Sequence, residues 1–492
     1  MSELKPQKIG NTGIYGVIRP AEVDDSLIPD GAVTESINFH FDRKGAATVR
    51  PGLTALGSTV LTSRPAFGLH NVQQSTAVAV FSNGGSSTIF SYGTSSAANA
   101  WAVSLDGGTA SVRVRFVDFG SYSIALNFNY NTYTSMRFWD GGTRNWYHTG
   151  NPINPHNMWG YAYQYGEVFK SRVYLFGDQS REGNKSRLAF SSVISSTGII
   201  TCSPTVDYVD INPGDGEGGS GLKRFSLELL CFKPNYIYRF RTSGVDPDPL
   251  IKIGTRSNES IVEGKRGLYF HHDTGFYRYT GGYPEEISRP LSDIVAAIPY
   301  SQFSKIEGWN DGDHIYWSVG NLTVQEARQA VTIKNAVLRY TESSDVWTVY
   351  SYASDIRAGL TFNNQTSVSR LVANDVGVVA THNSGTTDLG EPIKYRMRTK
   401  WLEFGTIAER KVINEMVVVC EKAQATVLMY QTDENQEWRT IADLTQMVNV
   451  FDKLSIRFNR IRFLVTGTSR SESPIFREIQ IIQGTNEGVV LT

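Results

Sequence analysis

Cysteine is scarce: Cys202, Cys231 and Cys420 are odd in number, far apart and without a CxxC pair. That excludes a disulfide framework and a thiolate metal site, and leaves buried free thiols as the reading. Long apolar runs are missing too. No stretch approaches 18 uncharged apolar residues, so no membrane segment is expected. The opening MSELKPQKIGNTG has no apolar core, so no signal peptide is expected, and the sequons at Asn184, Asn258, Asn321 and Asn364 carry little meaning. A charge excess is absent: 47 Lys and Arg face 48 Asp and Glu, without the basic surplus of a DNA-coating protein. HExxH, GxSxG and GxxxxGK[ST] do not occur, which removes the anchors of zinc-protease, hydrolase and P-loop readings.

What is abundant is glycine (45 residues) and aromatic side chains (12%), with Ser, Thr and Asn between them. This is the composition of many short strands joined by turns. A strand, polar turn and aromatic-rich strand recur without repeating letter for letter, as in AVAVFSNGGSSTIFSY (77–92) and LYFHHDTGFYRYT (268–280). Anchors at Val78, Ala125, Val173, Leu229, Leu268, Ile315 and Leu371 are spaced by 47, 48, 56, 39, 47 and 56 residues. Propeller blades recur at roughly 40–50 residues. The expected fold is therefore all-β, a β-propeller of six or seven blades, with a long series of sandwich hairpins as the alternative. Helix is expected at 288–305, stopping before Pro299, and in a second short piece at 321–333. Beyond the soft run 381–392 the strands lengthen, which points to a C-terminal β-sandwich-like module. The expected divisions are 1–64, a docking or closure segment; 65–385, the propeller; and 386–492, the sandwich-like module and tail.

Sites for chemistry are few. His271 and His272 are neighbours, but successive strand residues point to opposite faces, so the pair does not grip one metal. NPGDGEGGSG (212–221) looks like a calcium loop only superficially, having too few oxygen ligands, and reads as an inter-blade turn. Glu285-Glu286 lacks a placeable second carboxylate across a sugar and reads as solvent-facing. Trp139, Trp146 and Trp159 are candidates for stacking on sugars, although core or interface is the commoner use of such clusters. In IRFNRIRFLVTGTSR (456–470), Arg457, Arg460 and Arg462 alternate with apolar residues, the pattern of one wet basic face.

The stretch INFHFDRKGAATVRPGLTALG (37–57) alternates Ile37, Phe39 and Phe41, turns at Arg43-Lys44-Gly45, and turns again at Arg50-Pro51-Gly52. With its flank, DGAVTESINFHFDRKGAATVRPGLTALG (30–57) resembles the start of tail-hub or nozzle proteins of short-tailed bacteriophages, in which a G-x-x-x-x-RPG segment precedes a β-propeller. GDGEGGSGLKRFSLELLCFKPNYIYRF (214–240) and GLYFHHDTGFYRYTGGYPEEIS (267–288) are similar to successive blades of that family, and TTDLGEPIKYRMRTKWLEFG (386–405) to the segment after the last blade. The resemblance covers most of the chain in short patches; the C-terminal module departs from it. It implies a structural virion protein of the tail, assembled in the host cytoplasm as a homo-hexamer. Its partners would be the portal and adaptor ring proteins, tail spikes, fibres or a needle, and the genomic double-stranded DNA leaving through the channel it lines. It implies no catalytic residue and no cofactor. The residues expected at interfaces are Arg43, Lys44, Arg50 and Pro51, and the Arg457, Arg460 and Arg462 face. Propeller rings are commonly closed by strands from both chain ends, so residues 37–57 are also candidates for that closure. The alternatives are a carbohydrate-binding or receptor-reading propeller, and a head-completion or adaptor ring protein of a long-tailed phage.

Overall fold

The computed structural model describes residues 2–489 apart from 4–5, 11–15, 20–26, 30, 42–45, 58–60, 62–63, 74–75, 84, 93–99, 110–112, 129–135, 141–144, 149–156, 159–161, 179–181, 195–198, 204–205, 242–247, 327–328, 364–367 and 424. Among the described residues, five separate antiparallel four-stranded sheets follow one another along the chain, and two further four-stranded blades are joined through strands of a C-terminal module into one larger sheet. Blade 1 runs Ala66–Val72, Thr76–Asn83, Ser86–Tyr92 and Trp101–Thr109. Blade 2 is Arg115–Phe119, Tyr122–Leu126, Arg137–Asp140 and Asn145–His148. Blade 3 is Tyr163–Phe169, Arg172–Asp178, Arg187–Phe190 and Tyr208–Asp210. Blade 4 is Gly221–Phe225, Glu228–Phe232, Ile237–Phe240 and Asp248–Ile251. Blade 5 is Val262–Glu263, Leu268–His272, Gly275–Tyr279 and Glu285–Glu286. Blade 6 is Glu307–Asn310, His314–Glu326, Gln329–Thr341 and Val346–Ser351.

Blade 7 takes Ile356–Asn363, Val368–Asn374 and Val379–His382, but its fourth strand is Leu53–Ala55 from the other end of the chain. Leu53 pairs with His382 and Ala55 with Ala380. The ring is thus closed by the segment that follows the Arg-Pro-Gly turn.

Each pair of neighbouring blades buries an apolar cluster. Ile89 and Val80 meet Trp139 between blades 1 and 2; Val117 and Phe138 meet Leu175 between 2 and 3; Tyr174 and Phe176 meet Cys231 between 3 and 4. Leu230 meets Phe270, Tyr269 meets Trp317, Tyr316 meets Val372, and Phe362 and Leu371 meet Ala77 of blade 1, completing the circle. Blades are therefore covered on both faces, and in blades 1 to 5 the second strands are buried at nearly every position rather than alternating. Leu268–His272 is buried at all five positions, and Arg172–Asp178 at six of seven.

The last hundred residues and the first fifty form a β-sandwich together. One sheet orders Val33–Ile37, Glu391–Thr399, Ile461–Ser469, Thr426–Thr432 and Arg439–Leu444. The other carries Phe39–Phe41, Ala47–Val49, Ile475–Val489 and Glu409–Glu421, edged by Val448–Phe451 and Ile456–Phe458. Ser2–Glu3 and Gln7–Gly10 also pair with Ile475–Val489. Phe39, Val49, Tyr395, Met416, Leu428 and Phe463 fill the space between the sheets. The sandwich grows from the outer edges of two blades: Ile37 pairs with Val349 of blade 6, and Asp388 with Leu53 of blade 7.

Two local expectations change. Ile37, Phe39 and Phe41 do not share one strand. Asn38 takes φ 64°, a left-handed conformation that asparagine tolerates, and hands the chain from one sheet to the other. The described residues of 321–333 are not helical but extended, in the blade 6 hairpin, where buried Leu322 and Val324 alternate with exposed Asn321, Thr323 and Gln325. The helix expected near 288–305 is present as Ser292–Ala296 between two 3-10 turns. Among the described residues, no helix is long and apolar enough to cross a membrane.

Candidate functional site

The Arg-Pro-Gly turn sits where propeller, closure strand and sandwich meet. Arg50 is fully buried, and its guanidinium is shared among all three. Nη1 and Nη2 donate to the two oxygens of Asp388 (2.8 and 2.6 Å), and Nε donates to Asn38 Oδ1 (2.7 Å). The remaining N–H groups reach the carbonyls of Pro51 (2.9 Å) and Ser351 (2.8 Å). The Tyr352 ring lies 3.8 Å from the guanidinium carbon. Burial works against the charge, but the Tyr352 and Asp388 contacts outweigh it and raise the Arg50 pKa. Asn38 completes the knot: its Oδ1 also accepts from Ser351 N (2.8 Å), and its Nδ2 donates to Lys394 O (2.7 Å). Gly52 is required by close approach, since a Cβ there would lie 1.9 Å from the Thr387 carbonyl oxygen. Arg50 was expected to face a partner molecule. It instead holds the chain to itself, and no part of it is left exposed for docking. Pro51 is half-buried at the rim of a cavity beside this knot. Arg43 and Lys44 lie outside the described residues.

That cavity, of about 620 Å³, is bounded by His40 and Phe41, by Pro51, by Asn383, and by blade 6 residues that include Asp311, Asp313, His314 and Arg339. Arg339 is 6% exposed; its Nη2 stands 2.8 Å from His314 Nε2, and its Nε has no hydrogen-bond partner. Burial and the Arg339 charge push the His314 pKa down to about 4, so the ring is neutral at pH 7 and accepts from the guanidinium. Asp311 accepts from the Tyr316 hydroxyl (2.8 Å) and from Asn383 Nδ2 (3.3 Å), while Asp313 accepts from the Ser343 hydroxyl (2.7 Å).

A second cavity, of about 380 Å³, lies where the first strands of blades 1, 2, 6 and 7 converge. Ion pairs cross it. Arg115 donates to Glu259 through Nε (2.5 Å) and Nη2 (3.0 Å), and Arg113 donates to Glu307 and to the Arg357 carbonyl (2.6 Å). Burial disfavours both carboxylates, yet Arg115 and Arg113 hold Glu259 down to about 2. Glu307 responds the other way: burial, aided by the charge of Glu259, pushes it up to about 8 in spite of Arg113.

The glycine-rich loop 212–221 joins blades 3 and 4, and a lysine ammonium is held by its oxygens. Lys233 Nζ donates to Asp215 Oδ1 and Oδ2 (both 2.7 Å) and to the Asn212 carbonyl (3.0 Å), and the Tyr238 hydroxyl also donates to Asp215 (2.7 Å). Lys233 is wholly buried. Glu217 turns away to accept from Asn235 N (3.0 Å).

The three C-terminal arginines do not form one face. The strand breaks after Phe458, and its two halves join opposite sheets of the sandwich. Arg457 is exposed on one sheet, 3.7 Å from Glu487. Arg460 and Arg462 lie against Trp401 on the other, at 5.0 and 4.4 Å, and Arg462 also donates to Gln431 Oε1 (2.6 Å). Trp139 and Trp146 are buried between blades 1 and 2 with centroids 5.3 Å apart, so they offer no sugar platform; Trp159 is not among the described residues. His271 is buried edge-on between Phe276 and Phe303. Glu285 and Glu286 pair with Arg278 (2.6 Å) and Arg289 (3.2 Å). Burial raises all three thiols, Cys202 and Cys420 to about 12, so none is a nucleophile at neutral pH. No cluster of three metal-ligating side chains exists among the described residues.

The sequence carried a signal for Arg50, the Arg-Pro-Gly turn, but none for the Arg339 cavity, whose walls come from four separated segments. No protein-family model matches the chain, and no curated protein sequence does. Among solved structures, the WD40 domain of Neurospora crassa Pan2 aligns over 68% of this chain and 94% of its own, with 8% identity and a TM-score of 0.39. A likeness that loose carries no argument, and the propeller rests on its own sheet pairing and inter-blade packing.

Proposed function

We propose that this chain is a structural subunit of a short-tailed phage tail, a hub or nozzle protein. In this reading six copies form a ring below the portal and adaptor proteins, border the DNA exit path, and help to retain and release the genome. The observation that carries an assembly role is the open edge of the sandwich. Val448–Phe451 pairs on one side with Met416–Val419 and ends its sheet. Val448 and Val450 are exposed, at 47% and 59%, as is Met447 beside them. An apolar sheet edge left open is a ready template for pairing with another chain, and proteins that stay single usually blunt it with charge.

The order of the resembling segments along the chain also supports the reading. DNA would pass between copies and not along a propeller axis, because the Arg113, Arg115, Glu259 and Glu307 pairs cross the axial cavity. Mass measurement of the purified protein, followed by cryo-electron microscopy of the intact particle, tests the proposal. The expected result is a ring of copies located in the tail; a strictly monomeric chain absent from virions overturns it.

A further inference from the structure

The cavity floored by Arg339 has a lining that selects among ligands by charge. Its volume, about 620 Å³, falls within the roughly 300–1,000 Å³ of small-molecule sites. Arg339 brings a guanidinium to the lining that donates to the neutral His314 ring, and no carboxylate among the described residues lies within ion-pair distance of it. Asp311 and Asp313 line the same cavity as acceptors, with Thr341, Ser343, Ser344 and Asn383 offering both roles. Phe41, half-buried, supplies ring surface, while Tyr316 and Tyr350 are buried.

A carboxylate or phosphate drawn to Arg339 would also face two aspartates. A cation drawn to the aspartates would face Arg339. Both are disfavoured by like charge in a half-enclosed site. A neutral group that presents hydroxyls as acceptors and donors together, with an apolar face for the rings, suits every wall. We propose that this cavity, between blade 6 and the N-terminal hairpin, binds a neutral saccharide segment. One hydroxyl oxygen accepts from Arg339, others donate to Asp311 or Asp313, and the ring's C–H face rests on the aromatic side. The site goes beyond the assembly reading, and either can fail without the other, since oligomer mass and particle location do not depend on it.

The test is a glycan array carrying neutral and acidic oligosaccharides, probed with the full chain and two variants, each checked for native circular dichroism and oligomer mass. Ser344→Trp fills the cavity mouth from an exposed turn position and touches none of the buried network. Arg339→Gln keeps a hydrogen-bonding group but removes the guanidinium. Neutral glycans are expected to bind, with at least tenfold weaker binding in both variants. Absence of binding by the unaltered chain overturns the proposal. So does binding confined to acidic glycans, or binding that Ser344→Trp leaves unchanged. If Arg339→Gln fails to fold, the Ser344→Trp result alone decides.

Discussion

Replacing Arg50 by methionine should loosen the seam where ring closure meets the sandwich. The change keeps much of the apolar stem and deletes a guanidinium that donates to two oxygens of Asp388, to Asn38 Oδ1, and to the Pro51 and Ser351 carbonyls. What remains is an Asp388 carboxylate only 5% exposed, without its counter-charge. Breaking a buried pair by removing one partner typically costs about 3–5 kcal/mol, and a carbonyl left without a donor adds about 1 kcal/mol. With two such carbonyls, the expected loss for Arg50→Met is roughly 5–7 kcal/mol. Asp388→Leu should cost a similar amount by stranding the guanidinium. The double variant buries neither charge and should cost less than the sum, by about 2–3 kcal/mol. A chain of this size does not unfold in one step, so the local readout is native-state hydrogen exchange of Leu53–Ala55 and Val379–His382, the closure pair. Exchange there should accelerate in each single variant and partly recover in the double. Unchanged exchange in Arg50→Met, or costs that simply add, would refute the staple. A variant with native exchange that fails only to assemble would return Arg50 to the docking role its turn first suggested.

The axial ion pairs make stability depend on pH in two directions. Glu259, depressed from 4.5 to about 2, contributes stability that is present above pH 4.5 and lost as pH falls toward 2, about 3 kcal/mol in all. Glu307, raised from 4.5 to about 8, favours the folded chain fully below pH 4.5, and that advantage fades as pH rises through 8, by at most about 5 kcal/mol. Urea midpoints at pH 5, 7 and 9 should therefore fall toward pH 9 in the unaltered chain and fall less in Glu307→Gln; parallel declines would rule this out. Lys233→Met leaves the 8%-exposed Asp215 unpaired and should cost roughly 3–5 kcal/mol, while the unaltered chain should melt at the same temperature with chelator or with millimolar calcium. Val450→Lys, at a 59%-exposed edge position, should change subunit stability by less than about 0.5 kcal/mol and abolish ring formation on mass measurement; rings that persist would point to another interface.

The propeller was legible because of where its repeat shows. Val78, Ala125, Val173, Leu229, Leu268, Ile315 and Leu371 all fall on second strands, whose middle stretches are covered on both faces and so carry runs of buried residues. Only six of the blades are continuous in sequence; the seventh borrows Leu53–Ala55, and no local pattern announces a partner more than 300 residues away. Short strands are the hard case. Val33–Ile37 and Phe39–Phe41 read as one alternating run because a single left-handed residue, Asn38, leaves the period intact while changing the sheet. The basic run after Ile456 misled for a related reason: period two places side chains on a face only while the strand stays in one sheet. Arg50 shows a different limit. A charged residue in a turn looks solvated, and only the position of Asp388, 338 residues on, explains its burial.

The sandwich is laced from both chain ends, and this sets an order of events during synthesis. Ser2 pairs with Asn486, and Gln7 with Ile481. Leu53 must likewise wait for His382 before blade 7 has its fourth strand. At roughly 5–20 residues per second, the first strands emerge on the order of half a minute to a minute and a half before the strands they pair with. During that interval their edges are open while six blades assemble behind them. The nascent chain is thus most exposed to mispairing at its leading end, and a truncation of Ile475–Val489 should leave Ser2–Glu3 and Gln7–Gly10 without the strand they join.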